Sequence, residues 1–238
     1  MAAIALLNAT TYIHGFDFTT KTNNITVNAE AEDLDATTFG GNGYRQRIAG
    51  LREVTSDHSG FWEGPVDAEA WANLGVADRA VTVAPTGTEG DVAYMFRAGQ
   101  FSYEQFGDVG DLTPFSISMS GSNAYGIVRG GLAKAKGSVS ATGVLGSVVN
   151  LGAPLATQYV YAVLHVFSAG TTITVQVQSD TAANFPSATT RGTIGPITAV
   201  GGIWLARVAG PFVGETHWRL NVSAITGTFE VAGAIAVQ

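Results

Sequence analysis

Several groups of residues have types that could do chemistry. Ser56-Asp57-His58-Ser59 holds a nucleophile, a carboxylate and an imidazole. Neighbours on an extended segment point to opposite faces, so four in a row cannot form a nucleophile, base and orienting-carboxylate relay. The histidines, His14, His58, His165 and His217, are metal-ligating types, but they lie far apart in the chain. Without local ligand spacing, ordinary surface or core histidines are the expectation. Glu30, Glu32, Asp33 and Asp35 in AEAEDLD offer the hard oxygens that calcium takes. The EF-hand pattern is missing, and a solvated acidic loop is expected there. Gly41-Asn42-Gly43 lacks the third glycine of a dinucleotide fingerprint, and no Walker A, G-x-S-x-G or H-E-x-x-H motif occurs. Trp204 and Trp218 with Tyr159 and Tyr161 could stack a sugar, or fill a sandwich core or subunit contact, and the second reading is favoured. No residue is assigned to catalysis, to a cofactor or to a metal, and the chain reads as no enzyme.

Composition limits the classes further. With 238 residues, either one large or two small β domains can bury a core. Charged residues make up only 13% where about 25% is usual, yet there is no long apolar run, which points to surface hidden against other copies of the chain. Absence of cysteine removes disulfide scaffolds, thiolate metal sites and thiol nucleophiles. The opening MAAIALLNATTYIHG has a short apolar patch with no basic residue before it, too short and wrongly flanked for a signal peptide or membrane span. The sequons at Asn8, Asn24 and Asn221 therefore carry little meaning. Residues 1 to 115 hold 16 acidic against 6 basic side chains, and residues 116 to 238 hold 3 against 6, in line with the total of −7. This polarity suits head-to-tail association and equally suits two units with different solvated surfaces. Tight nucleic-acid binding needs clustered Lys and Arg, which the sequence lacks.

The elements that would position these groups are mostly strands. Thr11 to Thr19 places Tyr12, His14, Phe16 and Phe18 on one face, and a Lys21 to Asn24 turn leads into Ile25, Val27 and Ala29, suggesting a hairpin. Arg45, Arg47 and Ala49 alternate with Tyr44, Gln46 and Ile48, and the extended run breaks at Gly50 before resuming toward Phe61 and Trp62. One helix stands out near 65–74: Pro65 suits its first turn, Asp67 and Glu69 its positive end, and Gly75 a left-handed cap. Val66, Ala70, Trp71 and Leu74 are read as its core-facing stripe, with Trp71 as the anchor. Further strands are expected at 79–84, 92–97, 100–106, 115–119 and 127–133. Residues 136–156 read as a linker or a slack strand-turn-strand. Strands at 159–167, 171–177, 203–208, 216–222 and 228–237 follow, at the spacing of a sandwich or jelly roll. The fold class is all-β, with a β-sandwich domain flanked by one helix over 1–143 and an additional all-β, jelly-roll-like domain over 144–238; a single intertwined sandwich is the alternative.

The order Asp35-Ala-Thr-Thr-Phe-Gly40, then Arg45-x-Arg47-Ile-Ala-Gly-Leu51, then an extended run ending Gly60-Phe-Trp-Glu63, is similar to the start of tail tube (major tail) proteins of long-tailed bacteriophages. The likeness covers roughly the first 140 residues as an order of elements, is close over 33 to 63, and contains no chemically obligatory residue. It implies a β-sandwich with one flanking helix, in a structural virion protein made in the host cytoplasm. Such a protein forms rings of six subunits that stack into a tube, with other tail proteins at the tube ends. Genomic DNA leaves through it without specific binding, and no membrane is involved. The acidic first half suits a lumen along which a polyanion slides. On this reading Asp33, Asp35, Thr37, Thr38, Phe39, Arg45 and Arg47 face a neighbouring subunit or the next ring, the arginines meeting carboxylates there. A reading from another class is a capsid decoration or fibre-like module whose second β unit recognises a capsid lattice or surface glycan.

Overall fold

A computed structural model describes residues 6–39 and 44–238. In chain order its elements are β1 (Thr10–Ile13), β2 (Phe16–Asp17), β3 (Thr22–Asp35), β4 (Arg47–Phe61), α1 (Gly64–Asn73), β5 (Arg79–Ala84), β6 (Val92–Gln105), β7 (Pro114–Gly121) and β8 (Val128–Val139). They continue with β9 (Gly143–Asn150), β10 (Tyr159–Ser168), β11 (Thr172–Asp180), β12 (Thr189–Ile197), β13 (Gly201–Trp204), β14 (Val208–Ala209), β15 (His217–Thr226) and β16 (Phe229–Val237). The fold is all-β, with one helix among the described residues. Two compact units form: a sandwich unit of Met1–Lys21, Arg79–Phe96 and Val128–Gln238, and a ribbon unit of Thr22–Asp78 and Arg97–Ile127.

In the sandwich unit one sheet runs β13-β10-β16-β8-β6-β5-β1-β2, with β14 also on β10, and a second runs β12-β11-β15-β9. Alternation sorts β10 cleanly. Val160, Ala162, Leu164 and Val166 join Ile173, Val175, Val177, Trp218, Leu220 and Val222 in the core between the sheets. The intervening Tyr161, Val163 and His165 are also buried, on the other face. They lie opposite Ala236, Ala234 and Ala232 of β16. A strand buried on both faces reads as the nearly continuous apolar run YVYAVLHVF. On that second face the first sheet curls, bringing β10 beside β2 and β13 beside β5. Small residues allow the tight approach: a Cβ on Gly202 of β13 would lie 2.8 Å from the Ala80 Cβ of β5, and within the sheet a Cβ on Gly130 would lie 2.0 Å from the Ile235 carbonyl oxygen.

In the ribbon unit the sheet order is β3-β4-β7-β6, through the Arg97–Gln105 part of β6. Helix α1 lies on it by Val66, Ala70 and Asn73, an i, i+4, i+7 stripe. Gln100 Nε2 donates to the Ala70 carbonyl at 2.7 Å, and Tyr103 Oη donates to Asp67 Oδ1 at 2.7 Å. Pro65 sits in the first turn and Gly75, at φ +77°, follows the helix end.

Four expectations are corrected. Trp71 is not a core anchor: it is 66% exposed, because the buried stripe continues to Asn73, whose amide donates to Glu69. Thr11 to Thr19 is not one strand, since His14 takes φ +53° and a two-residue turn pairs Tyr12 with Asp17 and Ile13 with Phe16. The acidic stretch 30–35 is strand, not loop. Gly50 does not break β4; it lies in a β-bulge where Gly50 and Leu51 face Glu32 between the pairs Ala31–Arg52 and Asp33–Ala49. Strand β12 was not anticipated: as a sheet edge it needs little apolar content and accommodates Pro196.

Gly130→Ala should lower unfolding free energy by about 3 kcal/mol, because the methyl meets backbone that cannot yield. Trp71→Ala should change it by no more than about 0.5 kcal/mol. Urea titrations of both variants check these values.

Candidate functional site

Strands β3 and β4 form a long antiparallel ribbon, paired from Thr22–Gly60 out to Asp35–Arg47. Strand β7 pairs with β4 only from Thr55 to Phe61. Among the described residues, Arg47 to Val54 therefore bond to β3 alone, and the outer edge of β3 has no strand beside it. Period-two alternation puts Asp33 and Asp35 on the same face as Ile25 and Val27, while Glu30, Glu32 and Leu34 take the other face. The four carboxylates thus split between faces and do not converge as calcium ligands. Among the described residues no group of three or more His, Asp or Glu is placed to hold a metal.

The residues expected at a subunit contact cluster at the ribbon tip. Asp33 forms an ion pair with Arg47 of the same ribbon. Asp35 Oδ1 accepts the Thr37 N–H at 2.9 Å, and hydrogen bonds from Thr37 hold the Asp35 carboxyl below its ordinary pKa. The tip is tied by Ala36 N–H donating to the Gln46 carbonyl at 2.8 Å and by Gln46 N–H donating to Thr37 Oγ1 at 2.9 Å. Thr38 and Arg45 are exposed, and Phe39 is wholly so, at 113%. Gly40 to Gly43, including the Gly41-Asn42-Gly43 motif, lie outside the described residues, as do Met1 to Ala5.

Sequence reasoning missed the apolar part of this surface. Leu34 and Ile48 are cross-strand partners on one face, and with Tyr44 and Leu51 they are exposed. Their signal lay in the register: once the bulge at Gly50 is counted, the two aliphatic residues fall opposite each other.

The other chemical candidates are structural. Ser56 Oγ and His58 Nε2 lie 3.2 Å apart on the buried face, whereas Asp57 projects from the opposite face and accepts from Ser118 Oγ at 2.6 Å. No relay links the three. His165 Nδ1–H donates to the His14 carbonyl at 2.7 Å, and its Nε2 accepts from the Thr82 hydroxyl at 2.8 Å, which fixes the tautomer. His14 Nδ1 in turn accepts the Gly202 N–H at 3.0 Å. These contacts join β10, β5, β13 and the β1–β2 turn. Of the aromatic quartet, Trp218 and Tyr161 are buried, Trp204 packs edge-on against Tyr161, and Arg207 stacks on Tyr159. They do not form an open platform.

No family model and no curated protein matches this chain. Among solved structures it is similar to a chain in the virion of a native gene transfer agent particle, at 14% identity over 48% of this chain and 92% of that one, TM-score 0.40. A chain in the C6-symmetric tail of an empty particle of the same kind gives 14% identity over 47% and 90%, TM-score 0.39. The SPP1 Dit (gp 19.1) protein, described as a hub adsorption apparatus of phages infecting Gram-positive hosts, gives 9% identity over 95% and 98%, TM-score 0.35.

Burial lowers the pKa of both His58 and His165 to about 4, from an ordinary value of 6.5. The unfolded chain therefore binds protons that the folded chain refuses between those values. Stability should be full above pH 6.5 and fall as pH drops toward 4, by about 3 kcal/mol per histidine. Urea midpoints at pH 7, 6 and 5 test this, and His58→Met should flatten the fall by about half of the two residues' share.

Proposed function

We propose that this chain is a structural protein of a phage-type tail whose copies assemble into stacked rings, hexameric in the resemblance of residues 33–63, around a conduit for DNA. One observation carries the reading: a ribbon that leaves unpaired strand edges and ends in exposed Leu34, Phe39, Tyr44 and Ile48. Unpaired backbone edges beside apolar side chains are an aggregation hazard in a solitary protein and a bond between copies in an assembled one. Asp33, Asp35, Thr37, Thr38, Phe39, Arg45 and Arg47 then form the part of the tip that meets a neighbour. Arg47, already paired with Asp33, stiffens the tip, and Arg45 reaches across. The surplus of carboxylates in residues 1–115 gives the conduit a sign that repels phosphate.

Negative-stain images of the purified protein should show stacked rings. Compact monomers or trimers would instead favour a capsid-decorating or fibre-like binding module. Arg45→Glu with Arg47→Glu should leave the circular dichroism spectrum and thermal midpoint near those of the parent while abolishing tubes. Normal tubes from that variant would remove both arginines from the contact.

A further inference from the structure

The ribbon unit carries a second exposed apolar surface, at the opposite end of the strand that forms the tip. Strand β4 leaves the tip at Arg47 and finishes at Phe61, a run of about 50 Å at ~3.3 Å per residue. At that far end Phe61 pairs with Pro114, Trp62 N–H donates to the Thr113 carbonyl at 2.7 Å, and Gln105 pairs with Phe115. These bonds gather the ends of β4 and β6 and the start of β7 into one surface. Phe61, Trp62, Phe106, Val109 and Leu112 are all exposed there. Phe106 holds φ +77°, a region that a bulky side chain rarely occupies, with its ring 73% exposed. A strained backbone that presents an aromatic ring to solvent is the kind of outlier that clusters at binding surfaces.

Charge distinguishes the two ends. Residues 57–63 and 104–115 contain Asp57, Glu63, Glu104, Asp108 and Asp111 and no Lys or Arg. The tip instead carries both signs: Arg47 is paired with Asp33, Asp35 accepts from Thr37, and Arg45 is exposed. Between the ends the outward face of the ribbon is polar, with Glu30 opposite Glu53 and Asn28 opposite Thr55. The unit is thus a polar bar with an apolar, arginine-bearing tip and an apolar base on which Glu104, Asp108 and Asp111 lie.

We infer that the acidic base formed by Phe61, Trp62, Phe106, Val109 and Leu112 is the receptor for the ribbon tip of a second copy of this chain, which joins copies head to tail. The inference rests on the assembly reading above and deepens it by naming the surface that the tip meets. Phe39 and Tyr44 pack among the base aromatics, and Arg45 faces Asp108 and Asp111. Such a contact is heterologous, so a row of copies keeps one free tip at one end and one free base at the other and grows until its rotation closes a ring.

The experiment is a charge exchange read by sedimentation and electron microscopy of the full chain. Arg45→Glu/Arg47→Glu and, separately, Asp108→Lys/Asp111→Lys should each raise the concentration needed for assembly at least about tenfold, because like charges then face each other. Combining all four substitutions should restore assembly. A second measurement uses the absence of cysteine in the chain: Phe39→Cys with Val109→Cys in one polypeptide should give a ladder of disulfide-linked multimers on oxidation. If the parent assembles but the combined variant stays as impaired as the singles, or assembled Phe39→Cys/Val109→Cys protein gives no ladder, the base is not the receptor and the assembly reading stands. If the parent itself never assembles, both readings fall.

Discussion

A two-stranded ribbon can satisfy only one of the two rows of backbone groups that each strand carries. Along β3, and along β4 from Arg47 to Val54, the second row has no strand to meet among the described residues. Water can satisfy such groups at little cost, but water does not satisfy Leu34, Ile48 and Phe39, which sit beside them. The two demands coincide in space. A surface that supplies both strand-edge hydrogen bonds and apolar contact removes both at once, and another protein surface offers that combination where solvent does not.

The sandwich unit shows the opposite regime along its central strand, whose two edges are both paired. Strand β10 is flanked by β13 and β16 and buried on both faces. His165, in the middle of an otherwise apolar strand, is tolerated because both ring nitrogens are occupied, by the His14 carbonyl and the Thr82 hydroxyl. The same two bonds tie the β1–β2 turn and β5 to β10, so a residue of metal-ligand type acts as a fastener of the curled sheet. Losing either partner would leave a buried polar atom unmet, a cost larger than the net worth of the bond itself.

Legibility followed burial. Strands β5 and β16 stand in the sequence almost residue for residue, because burial on one or both faces writes period two or a continuous apolar run. The helix was visible from Pro65 and Gly75, yet its buried face was misread: Asn73 is polar by type but spends its amide on Glu69, and Trp71 is apolar by type but exposed. The turn at His14-Gly15 hid behind an alternation of Tyr12, His14, Phe16 and Phe18 that continued straight through it. Strand β3 beyond Asn28 looked like a loop because a ribbon exposed on both faces needs no apolar side. The tip residues were legible as a group from residues 33–63, but the Asp33–Arg47 pair depended on a one-residue bulge that composition does not reveal.

Electrostatics also decides which pairing of ends can exist. Two bases brought together would set Glu104, Asp108 and Asp111 against their own copies. Two tips would each bring one exposed Arg45 and one Asp35, with Asp33 already paired to Arg47. Base on base buries like charge, which costs association free energy, and tip on tip gains no net attraction. Tip on base, as proposed, covers apolar area while Arg45 meets the carboxylates Asp108 and Asp111. Closed twofold dimers are the commonest fate of an exposed patch, so the charge at the base matters: it disfavours base-to-base closure, and the proposed heterologous contact continues into a ring or a filament according to its rotation.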